Sequence, residues 1–257
     1  MHSTTAHSHE YKIGRFGSGE IMHGTECPVT PEELRAITGA PWLGASANEL
    51  AQVLLEMAEV RRVGAGETVS RKFSVDEYCY GVASGVVKLT SVTSGGRELV
   101  FDIAEPGDWF GAMPLIDDGP HAYEAATCSA STLLIIRKGR MLDALHQSTQ
   151  LALAFARLYG TKANLMQEKL SDALLLTLEQ RLIVQLLSLA YRFGVRCDVG
   201  IRIDFKLTQQ DLAGLLGSSR QRINEALKRL ERLNLIKLEP VGLVLLDFSQ
   251  LEARCSK

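Results

Sequence analysis

The chain is poor in the features that mark several protein classes. Five cysteines in 257 residues, Cys27, Cys79, Cys128, Cys197 and Cys255, fall in no CxxC or other metal-ligand spacing, and an odd count leaves at least one unpaired. A disulfide scaffold and a zinc site are therefore not expected, and reduced thiols in a cytoplasm are. Neither charge sign dominates: 28 Lys and Arg stand against 30 Asp and Glu, a formal net charge of -2. A surface that coats polyanions all round is thereby excluded, and any nucleic-acid surface has to be local. The longest apolar runs, such as LLLTL, are too short to cross a bilayer, and no basic stretch followed by an apolar one opens the chain. No membrane partner is expected. Enzyme motifs are missing as well. HAYE at His121 to Glu124 is HxxE rather than HExxH, GSSR is not a GxSxG elbow, and no GxxxxGK[ST] loop is present.

What is present changes period along the chain. Residues 1–30 are rich in His, Ser, Thr and Gly without periodicity, the pattern of a mobile extension; His2, His7 and His9 have no metal-ligand partners nearby. Leu50, Val53, Leu54 and Met57 then recur at helical spacing. From VGAGETVSRK through HAYEAATCSASTLLIIRK the chain runs in short β-branched or alternating stretches broken about every 8 to 12 residues by Gly or Pro-Gly. That is the pattern of a small antiparallel barrel or jelly roll. After Gly139 the helical period returns. Met141, Leu142 and Leu145 suggest a short helix, and Leu151, Leu158 and Leu165 fall seven apart, with Phe155, Met166 and Leu170 beside them. A seven-residue stripe predicts a seam against a second helix, most simply in a homodimer, the alternative being packing onto the chain's own barrel. One apolar helix is predicted from Leu174 to Tyr191, then a strand alternating Ile201, Ile203 and Phe205, and a hairpin in LIKLEPVGLVLLD.

Between strand and hairpin lies KLTQQDLAGLLGSSRQRINEALKRLE. Thr208 with Asp211, and Ser218 with Gln221, have the spacing of side chains that satisfy the free amides at a helix start. Leu212, Ala213 and Leu216 form one inward stripe, Gly217 makes the turn, and Ile223, Ala226, Leu227 and Leu230 form the second stripe. Two short helices so joined predict a helix-turn-helix. Opposite the second stripe stand Gln221, Glu225 and Lys228, with Arg220 and Arg222 in the first turn and Arg229 and Arg232 further on. Arginine can form two hydrogen bonds to guanine, and glutamine two to adenine, so this face suits the major groove of double-stranded DNA.

LTQQDLAGLLGSSRQRINEALKRLERLNLI and its following wing resemble the DNA-binding domain of the cyclic-AMP receptor protein and fumarate-nitrate regulator (Crp/Fnr) family of bacterial transcription factors. Upstream, YGVASGVVKL, GGRELV and PGDWFGAMPLIDDGPHAYEA are similar to that family's cyclic-nucleotide-binding jelly roll. The resemblance implies an α+β chain with a mobile extension over 1–30, a sensor over 31–140, a dimerisation helix region over 141–171 and a winged helix-turn-helix over 172–257. It implies a cytoplasmic homodimer on a two-fold operator, with RNA polymerase as partner if the protein activates. The DNA-facing residues it implies are Thr208, Gln209, Ser218, Ser219, Arg220, Gln221, Arg222, Glu225 and Lys228. Arg220 matches the family arginine that contacts guanine; Gln221 stands where glutamate is usual, and Glu225 where the cyclic-AMP receptor has an arginine.

The sensor pocket implied by the resemblance comprises Gly111, Ala112, Met113, Ala122, Tyr123, Met166 and Gln167, and it departs further. The glutamate position that would hold the ribose is Ala112, and the arginine-serine positions that would hold the phosphate are Ala122 and Tyr123. Pro120 adds a residue without an amide donor. Tight cyclic-AMP binding is not expected, and the pocket is compatible with cyclic di-GMP without pointing to it. Cys27 alone cannot replace the four thiolates of an iron-sulfur cluster. A haem needs only one axial ligand, yet His121 and Cys128 read as ordinary barrel residues. A dimer held active by its own packing, or a ligand-independent architectural DNA-binding protein, are the alternatives.

Overall fold

The computed structural model describes residues 29–255, apart from 75–76, 114–118 and 241. The extension carrying His2, His7, His9 and Cys27 lies outside the described residues. Helix α1 (Pro31–Thr38) starts on a reciprocal cap: the Glu33 amide donates to the Thr30 hydroxyl and the Thr30 amide to the Glu33 carboxylate. A 3-10 turn (Pro41–Ser46) leads into α2 (Ala47–Met57). Of the stripe seen in the sequence, Leu50 and Leu54 are buried, whereas Val53 is exposed.

Among the described residues eight strands follow: β1 (Glu59–Val63), β2 (Thr68–Ser70), β3 (Tyr78–Ser84), β4 (Val87–Val92), β5 (Glu98–Ala104), β6 (Trp109–Phe110), β7 (Glu124–Thr127) and β8 (Ser131–Arg137). They form two antiparallel four-stranded sheets in the orders β1-β8-β3-β6 and β2-β7-β4-β5. The jelly roll is explained by β8. Leu133 and Ile135 point between the sheets onto Val82, Val87, Leu89 and Phe110, while Leu134 and Ile136 point the other way, under the helices, onto Leu54, Trp109 and Phe155. Both faces are covered, so the strand reads as a continuous apolar run.

In β5 the pairing with β4 slips by one: Leu89 faces Asp102 and Thr90 faces Val100, leaving Phe101 as the extra residue. Such a bulge re-aims side chains. Here it puts Val100 and Ile103, three apart in sequence, into one apolar cluster outside the barrel.

Helices α3 (Lys138–Gln147) and α4 (Thr149–Leu175) come next. The expected seam along Leu151, Leu158 and Leu165 is corrected. Leu151 and Leu158 are buried with Phe155 against the chain's own barrel and N-terminal helices, and only Leu165 is exposed. The first half of α4 needs its apolar face to close the outer side of β8, so the stripe divides into a buried half and an exposed half. The single helix expected from Leu174 to Tyr191 is also corrected. The chain breaks at Leu176, and α5 (Leu178–Phe193) begins on a cap in which Thr177 and Gln180 exchange hydrogen bonds.

The C-terminal part comprises β9 (Gly194–Cys197), β10 (Gly200–Ile203), α6 (Gln209–Leu216), α7 (Arg220–Arg232), β11 (Ile236–Leu238), β12 (Leu243–Leu245) and α8 (Phe248–Cys255). Its sheet runs β11-β12-β10-β9. Ile203 closes the predicted strand, and Phe205 turns inward to meet the Phe193 ring edge-on at 4.9 Å.

Candidate nucleic-acid interface and sensor pocket

Helix α6 starts as its sequence indicates. The Asp211 amide donates to the Thr208 hydroxyl at 3.1 Å, and the Asp211 carboxylate accepts from the Thr208 amide at 2.9 Å. It stops at Gly217, whose φ of 58° lies in the left-handed region that glycine adopts at little cost. The second cap is corrected by one residue. The Ser218 amide is taken up by the Ala213 carbonyl at 3.0 Å as part of that stop, so Ser219 caps α7 instead, accepting from the Arg222 amide at 3.3 Å. The Ser218 hydroxyl is buried without a hydrogen-bond partner among the described residues.

The second helix buries Ile223, Ala226, Leu227 and Leu230 and exposes Arg220, Gln221, Arg222, Glu225 and Lys228. The structure therefore brings these five onto the free side of one helix. Gln221 donates to Glu225 at 3.0 Å, so the two positions that depart from the family pattern occupy each other. Thr208 and Ser219 are exposed beside them, while Gln209 is half-buried and donates to Asn224 at 3.2 Å. Asn224, which locks the two helices together, carried no sequence signal. Beside this face an open groove of about 850 Å³ is lined by Arg222, Arg229 and Arg254 together with Thr177 and Glu179. Arg229 is bridged to Glu179 at 3.2 Å.

The sensor residues are brought together only in part. Gly111 has φ 76°, and a side chain there would meet His121 and Tyr80. Its amide donates to the Tyr123 hydroxyl at 3.3 Å. The Tyr159 hydroxyl is buried against the amides of Ala112 and Met113, with no partner at full hydrogen-bonding geometry among the described residues. Burial pushes the ionisation of both tyrosines up. Tyrosine hydroxyls thus lie against the backbone amides of Gly111, Ala112 and Met113. Met113, Ala122, Met166 and Gln167 are exposed. The last two sit on α4 between Lys162 and Lys169, which bind Asp102 at 3.4 Å and the Phe101 carbonyl at 3.1 Å.

His121 is buried and Cys128 packs against the C-terminal core. Burial pushes the Cys128 thiol up to about 11 and the Cys79 thiol up to about 12. Thiolate is the reactive form, so an alkylating reagent near pH 8 is expected to spare both in the native protein and label both after denaturation, read by mass spectrometry.

The two halves of the chain touch through β4, β5 and the C-terminal helices. Lys88 alternates out of the barrel, its neighbours Val87 and Leu89 pointing in. Its ammonium lies 2.5 Å from Asp211 on α6 and 3.2 Å from Glu98 on β5. Burial works against the Asp211 charge, but hydrogen bonds from Lys88 and Thr208 outweigh it and hold the carboxyl below its usual range. Arg192 at the end of α5 reaches Glu105 at 2.6 Å, Asp108 at 3.3 Å and the Ile103 carbonyl at 2.5 Å. Val86, Val100 and Ile103 of the barrel join one apolar cluster with Leu186, Leu212, Ala213 and Leu216.

A jelly-roll domain, a long helix and a winged helix-turn-helix presenting a basic face define a DNA-binding transcription regulator. Residues 60–148 match the cyclic nucleotide-binding domain and residues 180–254 the Crp-like helix-turn-helix domain. The chain belongs to the Crp/Fnr family of transcription regulators. It is similar to the CRP-like cAMP-activated global transcriptional regulator of Mycobacterium tuberculosis, 27% identical over 74% of this chain and 84% of the relative. It is similar to the anaerobic regulatory protein of Bacillus subtilis, 28% identical over 79% and 87%. In fold it is similar to the c-di-GMP responsive global regulator CLP of Xanthomonas campestris, with a TM-score of 0.69, 22% identity, and coverage of 77% of this chain and 99% of that one. The curated relatives are transcription regulators rather than enzymes. Among the described residues no helix is long and apolar enough to cross a membrane.

Proposed function

We propose that the protein acts as a homodimer that reads a two-fold symmetric operator, one α7 helix entering each of two major grooves about one helical turn apart. The observation that carries this reading is the exposed first turn of α7, where Arg220 and Arg222 flank Gln221 and all three side chains face away from the core. Arg220 reads guanine in this scheme. Gln221, Glu225 and Arg222 set the neighbouring positions, and Thr208, Gln209, Ser219 and Lys228 face the phosphates; Ser218, whose hydroxyl is buried and whose amide is held by Ala213, is withdrawn from that set. The dimer is supported by the second half of α4, where Leu165, Met166, Leu170 and Leu174 are all exposed on a helix that continues past the barrel. If the bound protein activates, RNA polymerase is its next partner.

The effector in this reading is cyclic di-GMP, another small molecule, or none; it is not cyclic AMP. Ala112 offers no carboxylate and Ala122 no cation, and two lost charge-assisted contacts cost about 1.5 to 3 kcal/mol each. Calorimetric titration with cyclic AMP is expected to show no submicromolar binding, and a submicromolar isotherm removes this part of the proposal. For the operator, the test is selection from a random duplex library followed by shift assays on the enriched and the random DNA. A specificity ratio of roughly 10³ or more supports the regulator. A ratio near unity assigns an architectural role instead.

A further inference from the structure

We propose that Lys88, on the sensor barrel, is a positioning residue for DNA recognition: its pairing with Asp211 seats the helix-turn-helix on β5 and sets the attitude in which α6 and α7 meet the duplex. This rests on the reading of α7 as the DNA-reading helix.

The polar chain is continuous. Glu98 and Asp211 share the Lys88 ammonium, and the second oxygen of Asp211 holds both the amide and the hydroxyl of Thr208, at 2.9 and 2.6 Å. Thr208 is the exposed cap of α6. One carboxylate therefore joins a sensor strand on one side to the DNA-facing end of a helix on the other. The apolar surfaces below allow little play. A side chain on Gly214 would come 2.7 Å from Val100 Cγ2 and 3.1 Å from the Val100 nitrogen, so helix and strand touch at backbone distance.

The sign of the effect follows from charge and exposure. The docked arrangement leaves the α7 face free, so seating does not hide it. Removing the ammonium leaves a largely buried carboxylate without its cation, next to a position that faces phosphate. Such a charge pulls toward water and repels the DNA, and both weaken binding. Lys88 is thus expected to favour the DNA-bound state although it lies 123 residues away in sequence.

The test uses the full chain. Operator DNA is taken from a random duplex library by the unaltered protein, affinity is read by fluorescence anisotropy, and domain seating by small-angle X-ray scattering. Lys88→Met and Asp211→Asn are each expected to weaken operator binding roughly tenfold, the size of one lost charge-assisted contact. Asparagine keeps an oxygen for Thr208, so the cap survives. The double variant is expected to bind no worse than the weaker single one, and Lys88→Arg to recover most of the loss. Lys88→Met also raises the radius of gyration. Gly214→Ala disturbs the same seat without touching a charge; alanine is the better helix former, so its loss of affinity is not a failure to fold. Either charge variant binding as tightly as the unaltered protein, or losses that multiply in the double variant, overturns the proposal. If the unaltered protein enriches no sequence, the operator reading fails separately. Scattering then decides the seat, and an unchanged radius of gyration in both Lys88→Met and Gly214→Ala overturns it.

Discussion

Arg220→Ala is expected to abolish discrimination between operator and non-operator DNA while leaving the fold intact. Arg220 is exposed at the first position of α7 and contributes nothing to the buried stripe of Ile223, Ala226, Leu227 and Leu230, so no core contact is lost. A bidentate arginine on guanine is worth about 1 to 3 kcal/mol of discrimination, roughly 5- to 150-fold, at each half-site. Two half-sites in a dimer multiply that factor. Lys228→Ala is the comparison: a phosphate contact carries no sequence information, so its loss weakens all duplexes alike and lowers the salt dependence by about one counterion. Anisotropy titrations of both variants on operator and random DNA check the contrast. An Arg220→Ala protein that keeps its sequence preference removes Arg220 from the reading.

An equally large effect is expected from the far end of the long helix. Leu170 and Leu174 are 62% and 77% exposed, so glutamate at both positions costs the single chain no buried contact. In a dimer the same substitution places charges in an apolar seam. Leu170→Glu with Leu174→Glu is expected to give a folded monomer by light scattering. A monomer holds only one half-site, and losing the linked second contact costs roughly 10² to 10⁴ in affinity. A variant that stays dimeric moves the interface elsewhere.

Much of this architecture was legible because local chemistry and tertiary demand coincide. The Thr208 and Asp211 cap, the Gly217 stop and the alternating strands read correctly from residues close in sequence. Expectation and structure part where distant partners decide. The seven-residue stripe of Leu151, Leu158 and Leu165 has the spacing of a seam, but spacing cannot say which surface it meets, and β8 claimed the first two. Ser218 and Ser219 are equivalent as caps until the stop at Gly217 takes up the Ser218 amide. The Thr177 and Gln180 cap was visible as T-x-x-Q, yet the apolar residues on either side hid it inside one helical pattern. Within the site, the exposed face of α7 follows from helical periodicity alone. Lys88, Arg192 and Asn224 were out of reach, since each acquires its meaning from a partner on another element.

The one-residue slip at Phe101 has a bearing on solubility. β5 ends its sheet, and an uncovered edge strand invites pairing with other chains. By turning Val100 and Ile103 outward together, the slip gives α6 something to lie on, and α6 then covers that strand. The half of the protein that reads DNA is therefore also a protective cap for the sensor, and a barrel freed of it would present a sticky apolar margin prone to self-association.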